Sequence, residues 1–276
     1  MALADEGFLD LPPMRLEYRM IGPRPDAAPT IVMLHQGLGC VGIWGAFPEQ
    51  LASATGAGVF VYSRAGCGKS SPAKLPRPLT FMDEEALDVL PRVLDAIGFQ
   101  RGILFGHSDG ASIATIYAGG VQDHRVRGVV LMAPHFFTEA MGLAEIRRTK
   151  EQFAAGPLRD RLKRWHADVD ATFLGWVEPW LNPDFEKWDI TDALGYIRVP
   201  MLVVQGADDE YGTLRQVEAV REECYCPVET VVLPGARHSP YRDVPEATLE
   251  ATAGFINRLL RDHHESERPT DSGVAA

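Results

Sequence analysis

The sequence predicts an α/β protein in which helices cover both faces of a mostly parallel β-sheet. Short apolar segments alternate with segments of helical periodicity along the 276-residue chain. Several of the apolar segments lack the alternation of polar and apolar residues that a half-exposed strand shows, which indicates strands buried on both faces. The length suits one large domain, or one domain with an insertion.

Seven segments have the composition of strands. The earliest, "MRLEYRMIG" at 14–22, alternates between apolar and polar residues, and we therefore expect a more exposed antiparallel strand at the edge of the sheet. Apolar residues recur at helical spacing between the later strands, as at Leu249, Ala253 and Ile256. The six later strands are predicted at 30–35, 58–63, 102–108, 126–134, 200–206 and 229–235.

One long segment interrupts the alternation of strands and helices. Residues 135–196 contain no convincing strand and hold four of the five tryptophans. We expect a helical cap inserted over one end of the sheet, with Trp176 and Trp180 as candidate residues of the substrate pocket. The polar C-terminal tail predicts disorder. The predicted division is a core at 1–134 and 197–263, a helical lid at 135–196 and a disordered tail at 264–276.

The composition excludes several classes of partner. A net charge of −11 argues against nucleic acid and against anionic membrane surfaces. The chain has no run of about 20 apolar residues that could span a bilayer, and its first residues do not resemble a signal peptide. Its four cysteines lack the spacing of redox or zinc motifs. We therefore expect a cytoplasmic protein with no metal and no cofactor, which binds a small-molecule substrate and can form a homodimer.

The motif "GHSDG" at 106–110 predicts a nucleophile. It joins an apolar strand to a helix of small residues, and Gly106 and Gly110 leave room for the sharp turn that exposes the hydroxyl of Ser108. The N–H of Asp109, at the start of the helix, is a predicted oxyanion donor. The same glycine frame speaks against Asp109 as the nucleophile. We expect its carboxylate to turn away from the oxyanion, toward donors at the helix start or a basic neighbour.

A serine nucleophile needs a base and a group that orients the base. His238 lies in the loop "GARHSPYRD" after the last predicted strand and is the predicted base. Asp208 and Asp209 both follow the strand at 200–206, and we favour Asp209 because it is the third residue past the glycine that ends the strand. The chain order of Ser108, Asp209 and His238 is the order known for this arrangement on α/β folds.

With "HQGLGCVGIW" at 35–44, these motifs make the chain resemble the α/β-hydrolase superfamily, in its branch of serine esterases and carbon–carbon bond hydrolases. The resemblance covers residues 14–262 and implies an eight-stranded sheet with a helical cap. The family's oxyanion loop often contains His-Gly-X, and Gln36 replaces that glycine here. We therefore assign the second oxyanion N–H to Gly37, with Leu38 as the alternative.

Two histidines near these motifs have expected roles that are not catalytic. His35 is expected to brace the oxyanion loop. His107, directly before the nucleophile, is a candidate residue of the pocket wall. The segment "GKS" at 68–70 imitates the end of a phosphate-binding loop, but Ser63 stands where that motif needs its first glycine, so we do not expect nucleotide binding.

The predicted reaction is hydrolysis of a small carboxylic ester through an acyl-enzyme on Ser108. The same residues suit other activities, because a fold does not determine its chemistry. Members that resemble this chain cleave carbon–carbon bonds of ring-cleavage dienoates or hydrolyse lactones, and a cofactor-free haloperoxidase is a further alternative. An alternative of another class is a ligand receptor that binds a small molecule with little turnover.

Overall fold

The computed structural model describes residues 3–266, and in this part of the chain eight strands form one sheet. Numbered along the chain, they lie in the spatial order β1-β2-β4-β3-β5-β6-β7-β8. Pairing is antiparallel from β1 to β4 and parallel from β4 to β8, so the predicted fold is confirmed. The strands are β1 (Glu6–Leu11), β2 (Met14–Ile21), β3 (Thr30–Leu34), β4 (Gly58–Tyr62), β5 (Gly102–His107), β6 (Val126–Met132), β7 (Met201–Gly206) and β8 (Val228–Leu233).

The prediction that segment 14–22 forms the sheet edge is wrong. A further strand, β1, pairs with β2 along its whole length and takes the edge position. The sequence gives little sign of this strand because an edge strand needs only one partner and a small apolar surface, here chiefly Leu9 and Leu11. The apolar strands β3, β5 and β7 are buried along their whole length, as expected for strands covered on both faces.

Eleven helices are numbered along the described residues. One core lies between the sheet and the helices α1 and α11, and the other lies between the sheet and α3, α4 and α9. The helices are α1 (Phe47–Thr55), α2 (Phe81–Glu84), α3 (Leu90–Ala96), α4 (Asp109–Gly120), α5 (Ala140–Ala154), α6 (Pro157–Leu162), α7 (Val169–Trp180), α8 (Thr191–Leu194), α9 (Arg215–Glu223), α10 (Pro240–Asp243) and α11 (Pro245–Ser266).

The segment between β6 and β7 is helical, as predicted. It holds α5 to α8, and one isolated bridge between Phe137 and Asp189 is the only β pairing that its described residues show. Helix α5 packs on α6 and α7, whereas α8 packs on the core helices α4 and α9. The predicted disordered tail begins too early, because α11 continues to Ser266; residues 267–276 lie outside the described residues.

Candidate active site

Ser108 lies in the turn between β5 and α4, in a backbone conformation that side chains rarely adopt. Its φ of 55° and ψ of −120° are typical of a strained functional turn. The two flanking glycines are required by the close approach of strand and helix. A Cβ at Gly106 would lie 2.3 Å from the carbonyl oxygen of Gly110, and a Cβ at Gly110 would lie 2.1 Å from that of Leu34.

The three predicted catalytic side chains form one hydrogen-bonded chain. The Oγ of Ser108 lies 2.9 Å from Nε2 of His238, and the Nδ1 of His238 lies 2.9 Å from each carboxylate oxygen of Asp209. Their loops follow β5, β7 and β8, whose carboxyl ends lie at the same edge of the sheet. Asp208 is exposed, whereas the carboxylate of Asp209 is only 1% exposed. The geometry therefore favours Asp209 over Asp208 as the orienting residue.

Asp209 is held in place by donors other than His238. The side-chain amide of Gln205 donates to one carboxylate oxygen at 2.8 Å, and the N–H of Tyr211 donates to the other at 2.8 Å. Burial by itself raises the pKa of Asp209. The charge of His238 and the hydrogen bonds outweigh this effect and hold that pKa well below its ordinary value. Asp209 therefore remains ionised beside His238 at neutral pH.

The environment of His238 strengthens it as a base. Burial lowers the pKa of His238, but the charge of Asp209 and its hydrogen bond raise it by more, so the net shift is upward. The backbone of this histidine is also anchored. Its N–H donates to a carboxylate oxygen of Glu210 at 3.2 Å, and its carbonyl oxygen lies 2.7 Å from Nε2 of His107.

The prediction that His107 lines the pocket is wrong. His107 is fully buried behind the nucleophile, where its ring packs against Trp44 and Tyr241. Its Nδ1 lies 2.8 Å from Oε1 of Gln36, so the imidazole bridges the oxyanion loop and the loop of His238. The side chain points away from the cavity because residues at a strand end alternate between the two faces of the sheet.

The residues predicted to form the oxyanion hole lie beside Ser108. Gly37, Leu38 and Asp109 line the same cavity as the nucleophile. Within residues 3–266, no protein acceptor takes the N–H of any of the three. A Cβ at Gly37 would lie 2.1 Å from Cδ1 of Trp176, which shows how closely helix α7 packs on this loop.

The carboxylate of Asp109 has a partner that the sequence did not predict. Asp109 is buried, and its carboxylate accepts a hydrogen bond of 3.2 Å from the indole N–H of Trp180 in α7. The expected partners, donors at the helix start or a basic neighbour, do not bond to it among the described residues. Burial raises the pKa of Asp109, opposed by the charge of Arg64 and the Trp180 hydrogen bond.

A cavity of about 820 Å³ opens onto the nucleophile. Trp176 and Trp180 line it, as predicted, and His135 lines it as well. His135 is the third residue after the end of β6, and its ring centroid lies 5.4 Å from that of His238. Burial lowers the pKa of His135 to about 4, so its ring is neutral at neutral pH. Its position after a central strand is the signal that could have identified it.

Comparison with known proteins identifies the family to which this architecture belongs. The sequence matches the Alpha/beta hydrolase family over residues 31–251. The chain belongs to this family. In this α/β hydrolase, Ser108 lies in the turn between β5 and α4 where the sequence predicts the nucleophile. Among the described residues no helix is both long and apolar enough to cross a membrane, and no group of three or more metal-binding side chains is present.

Relatives of this α/β hydrolase include peptidases and esterases. A proline iminopeptidase of Lactiplantibacillus plantarum is 25% identical over 236 residues, which cover 70% of this chain and 80% of that protein. A thermophilic esterase from Thermogutta terrifontis, solved with malate bound, has a TM-score of 0.71 at 19% identity and covers 93% of this chain and 100% of its own. A proline iminopeptidase of Mycobacterium smegmatis has a TM-score of 0.66 at 17% identity, covering 94% and 99%. The two structures show the shared fold.

Proposed function

We propose that this α/β hydrolase cleaves a small-molecule carboxylic ester through an acyl-enzyme on Ser108. One observation carries the proposal: an unbroken chain of 2.9 Å contacts runs from Ser108 Oγ through His238 to Asp209. A hydroxyl at neutral pH is a weak nucleophile, and such a chain removes its proton as the bond to the substrate forms.

In the proposed reaction, Ser108 attacks the ester carbonyl carbon while His238 accepts its proton. The tetrahedral oxyanion accepts hydrogen bonds from the N–H groups of Gly37 and Asp109. Its collapse breaks the bond to the alcohol, which takes the proton from His238. Water, deprotonated by the same imidazole, then attacks the acyl-enzyme, and the bond between Ser108 Oγ and the acyl carbon breaks. His238 returns the proton to Ser108 Oγ as the acid leaves. Asp209 stays ionised throughout and stabilises the imidazolium.

The insertion at 135–196 is the proposed lid of the active site. Trp176 packs on Gly37, and Trp180 donates to Asp109, so α7 closes over both predicted oxyanion donors. The cavity of about 820 Å³ falls in the range of small-molecule sites. These contacts support a small substrate held largely away from water.

The carboxylates in the cavity decide whether the ammonium group of an N-terminal peptide substrate could bind. An aminopeptidase has to bind a free ammonium group, which calls for a carboxylate with spare capacity. Each carboxylate that lines the cavity already accepts a hydrogen bond or pairs with an arginine. The five are Asp109, Glu139, Glu145, Glu210 and Asp243.

Peptidase activity is nevertheless the second candidate, because the curated relatives are proline iminopeptidases. Carboxylate oxygens accept more than one hydrogen bond, and within residues 3–266 the ion pair that Glu145 makes is with Arg148, at 3.3 Å. A prolyl p-nitroanilide therefore belongs in the substrate panel beside the esters.

The proposal is tested with wild type, Ser108→Ala and the matched control Ser112→Ala. Ser112 is buried one turn further along α4, and its hydroxyl donates to the carbonyl of His135 at 2.6 Å. The panel contains p-nitrophenyl esters, lactones, a ring-cleavage dienoate and the prolyl anilide, with a fluorophosphonate probe as label. We expect turnover and labelling in wild type and Ser112→Ala and neither in Ser108→Ala.

Each other result has a definite meaning. Labelling of Ser108→Ala at the wild-type rate would refute Ser108 as the nucleophile. Fast cleavage of the dienoate with negligible ester turnover would replace the ester reaction by carbon–carbon bond hydrolysis. Fast cleavage of the prolyl anilide alone would make the protein a peptidase, and one slow turnover with retained product would make it a receptor.

A further inference from the structure

Arg64 is a buried cation beside the oxyanion loop that the proposed reaction leaves unused. It follows β4 and is only 1% exposed. Its guanidinium donates to the carbonyl oxygens of His35 and Gln36, the latter at 3.1 Å. Among the described residues no carboxylate forms an ion pair with it, and its Nε has no hydrogen-bond partner. Burial raises the pKa values of Asp109 and Glu85, and the charge of Arg64 opposes that rise from a distance. A buried cation with no carboxylate in contact is nevertheless costly, so its contacts with this loop need an explanation.

The carbonyl oxygen of Gln36 is the focus of these contacts, because three donors converge on it. The N–H of Gly39 donates at 2.9 Å, Arg64 donates at 3.1 Å and Nδ1 of His35 donates at 2.6 Å. The tautomer of His35 is defined by its other nitrogen, which accepts the backbone N–H of Arg64 at 3.0 Å. Burial and the nearby Arg64 charge lower the pKa of His35, which keeps the ring neutral. Arg64 thus acts on the loop directly and through His35.

The orientation of this carbonyl determines the direction of the next N–H. The peptide bond between Gln36 and Gly37 is trans and planar, so its C=O and N–H point in opposite directions. With the carbonyl directed at Arg64, the N–H of Gly37 points to the other side of the loop. Gly37 lines the cavity together with Ser108, and no described group accepts its N–H. This direction selects Gly37 as the donor that the oxyanion can use.

We propose that Arg64 is a positioning residue of the oxyanion hole: it fixes the Gln36–Gly37 peptide and adds positive charge behind the dipole that binds the oxyanion. The proposal rests on the Ser108 reaction described above. Fixed donors and dipoles in a water-excluded site stabilise the developing charge without reorganising during the reaction. Arg64 is not among the residues that line the cavity, and it acts through the peptide that it holds.

The variants Arg64→Gln and Arg64→Lys test this proposal, with Arg77→Gln and Arg77→Lys as matched controls. Arg77 is also largely buried, but it donates to the carbonyl of Ala65 at 2.6 Å and pairs with Glu85 at 3.9 Å. Arg64→Lys keeps the charge and the aliphatic stem of the side chain. If Arg64→Gln does not fold, Arg64→Lys is compared with Arg77→Lys instead. Thermal melting of all variants separates a loss of stability from a loss of activity.

The kinetic parameters distinguish positioning from packing. We expect Arg64→Gln to lower kcat by roughly 10- to 100-fold with KM changed less than about threefold, because the lost interaction acts mainly in the transition state. Affinity for a trifluoromethyl ketone, which forms a tetrahedral oxyanion with Ser108, should fall by a similar factor. Affinity for the product carboxylate should stay nearly constant. Methylguanidinium added to Arg64→Ala should restore part of kcat.

Two outcomes separate the two proposals. If Arg64→Gln and Arg77→Gln lower kcat and ketone affinity equally, or if Arg64→Gln changes only the melting temperature, Arg64 is a packing residue and this assignment is wrong. If wild-type turnover does not depend on Ser108, the proposed function fails before Arg64 is considered.

Discussion

The strand-end loops and the helical insertion contribute to the site in different ways. In the loops, the predicted orienting acid has several protein partners: Asp209 accepts from His238, Gln205 and Tyr211. Helix α7 of the insertion reaches the same site through two tryptophans. Trp176 packs on Gly37, and Trp180 donates one 3.2 Å hydrogen bond to Asp109.

This difference indicates that the strand-end loops determine the geometry of the reaction, whereas the insertion determines the shape of the cavity that the substrate enters. Groups held by several hydrogen bonds on rigid strands keep the geometry that a transition state requires. Helix α7 touches the site through ring contacts and one hydrogen bond, so it can change the shape of the cavity without moving the triad. Substitutions in the loops should therefore lower kcat, whereas substitutions in the insertion should mainly change KM and substrate preference.

The largest effect is expected for Asp209→Asn. The substitution removes the charge that raises the pKa of His238 and offers the imidazole the wrong hydrogen-bonding partner. We expect kcat to fall on the order of 10³- to 10⁴-fold. Asp208→Asn, at the exposed neighbour, is the matched control and should retain wild-type kcat. A greater loss in Asp208→Asn than in Asp209→Asn would overturn the assignment of the orienting acid.

Gly37→Ala tests the place where the two regions meet. The added Cβ would lie 2.1 Å from Cδ1 of Trp176, so the loop or α7 has to move. We expect kcat/KM to fall by roughly 100-fold, since a displacement of about 1 Å at a reacting centre has that effect. Adding Trp176→Ala should restore part of the activity. The control Gly254→Ala, whose Cβ would lie 3.6 Å from Arg258 Nη1, should be neutral; full activity of Gly37→Ala would refute the contact.

The pH dependence of kcat/KM tests the contribution of the strand-end loops separately from that of the insertion. His238 acts as a base only when neutral, and its pKa is raised, so kcat/KM should fall about tenfold per unit as pH drops below that raised value. Removing the raising charge in Asp209→Asn should shift this acidic limb to lower pH. Trp180→Phe should leave the limb where it is. Stopped assays of p-nitrophenyl acetate across pH provide the measurement, and a limb unmoved by Asp209→Asn would contradict the cause given for the raised pKa.

The smallest effect is expected for Trp180→Phe. Phenylalanine keeps most of the ring packing but removes the N–H that bonds to Asp109. We expect KM to rise about threefold to tenfold with kcat nearly unchanged, since a typical hydrogen bond contributes about 0.5–1.5 kcal/mol. Trp188→Phe is the control, because Trp188 packs on Trp180 but does not line the cavity. A large loss of kcat in Trp180→Phe alone would place α7 within the catalytic machinery.

The sequence predicted those parts of the site that depend on local rules. The glycine frame identified Ser108, because a strand and a helix approach so closely only at residues without a side chain. The positions of His238 and Asp209 after apolar strands followed from the geometry of parallel sheets, in which such loops converge. Strand β1 escaped prediction because an edge strand is specified by its partner more than by its own pattern.

The remaining features depend on contacts between distant segments. His107 was predicted in the pocket and lies behind the nucleophile, because the direction of a strand-end side chain depends on which face each neighbour covers. The partnership of Asp109 with Trp180 joins residues 71 positions apart, and no local pattern encodes it. His135 likewise lines the cavity because the end of β6 lies beside the other strand-end loops.

The sequence by itself thus determined the fold class, the helical segment between β6 and β7 and the sharp turn at Ser108, because these follow from periodicity, glycine sterics and strand order. Only the tertiary structure decided how the oxyanion loop is held and what closes over it. The direction of the Gly37 N–H depends on a carbonyl contact with Arg64, 28 residues beyond Gln36. Burial also shifts the pKa values of His135, Asp109 and His238, and burial is a property of the assembled fold.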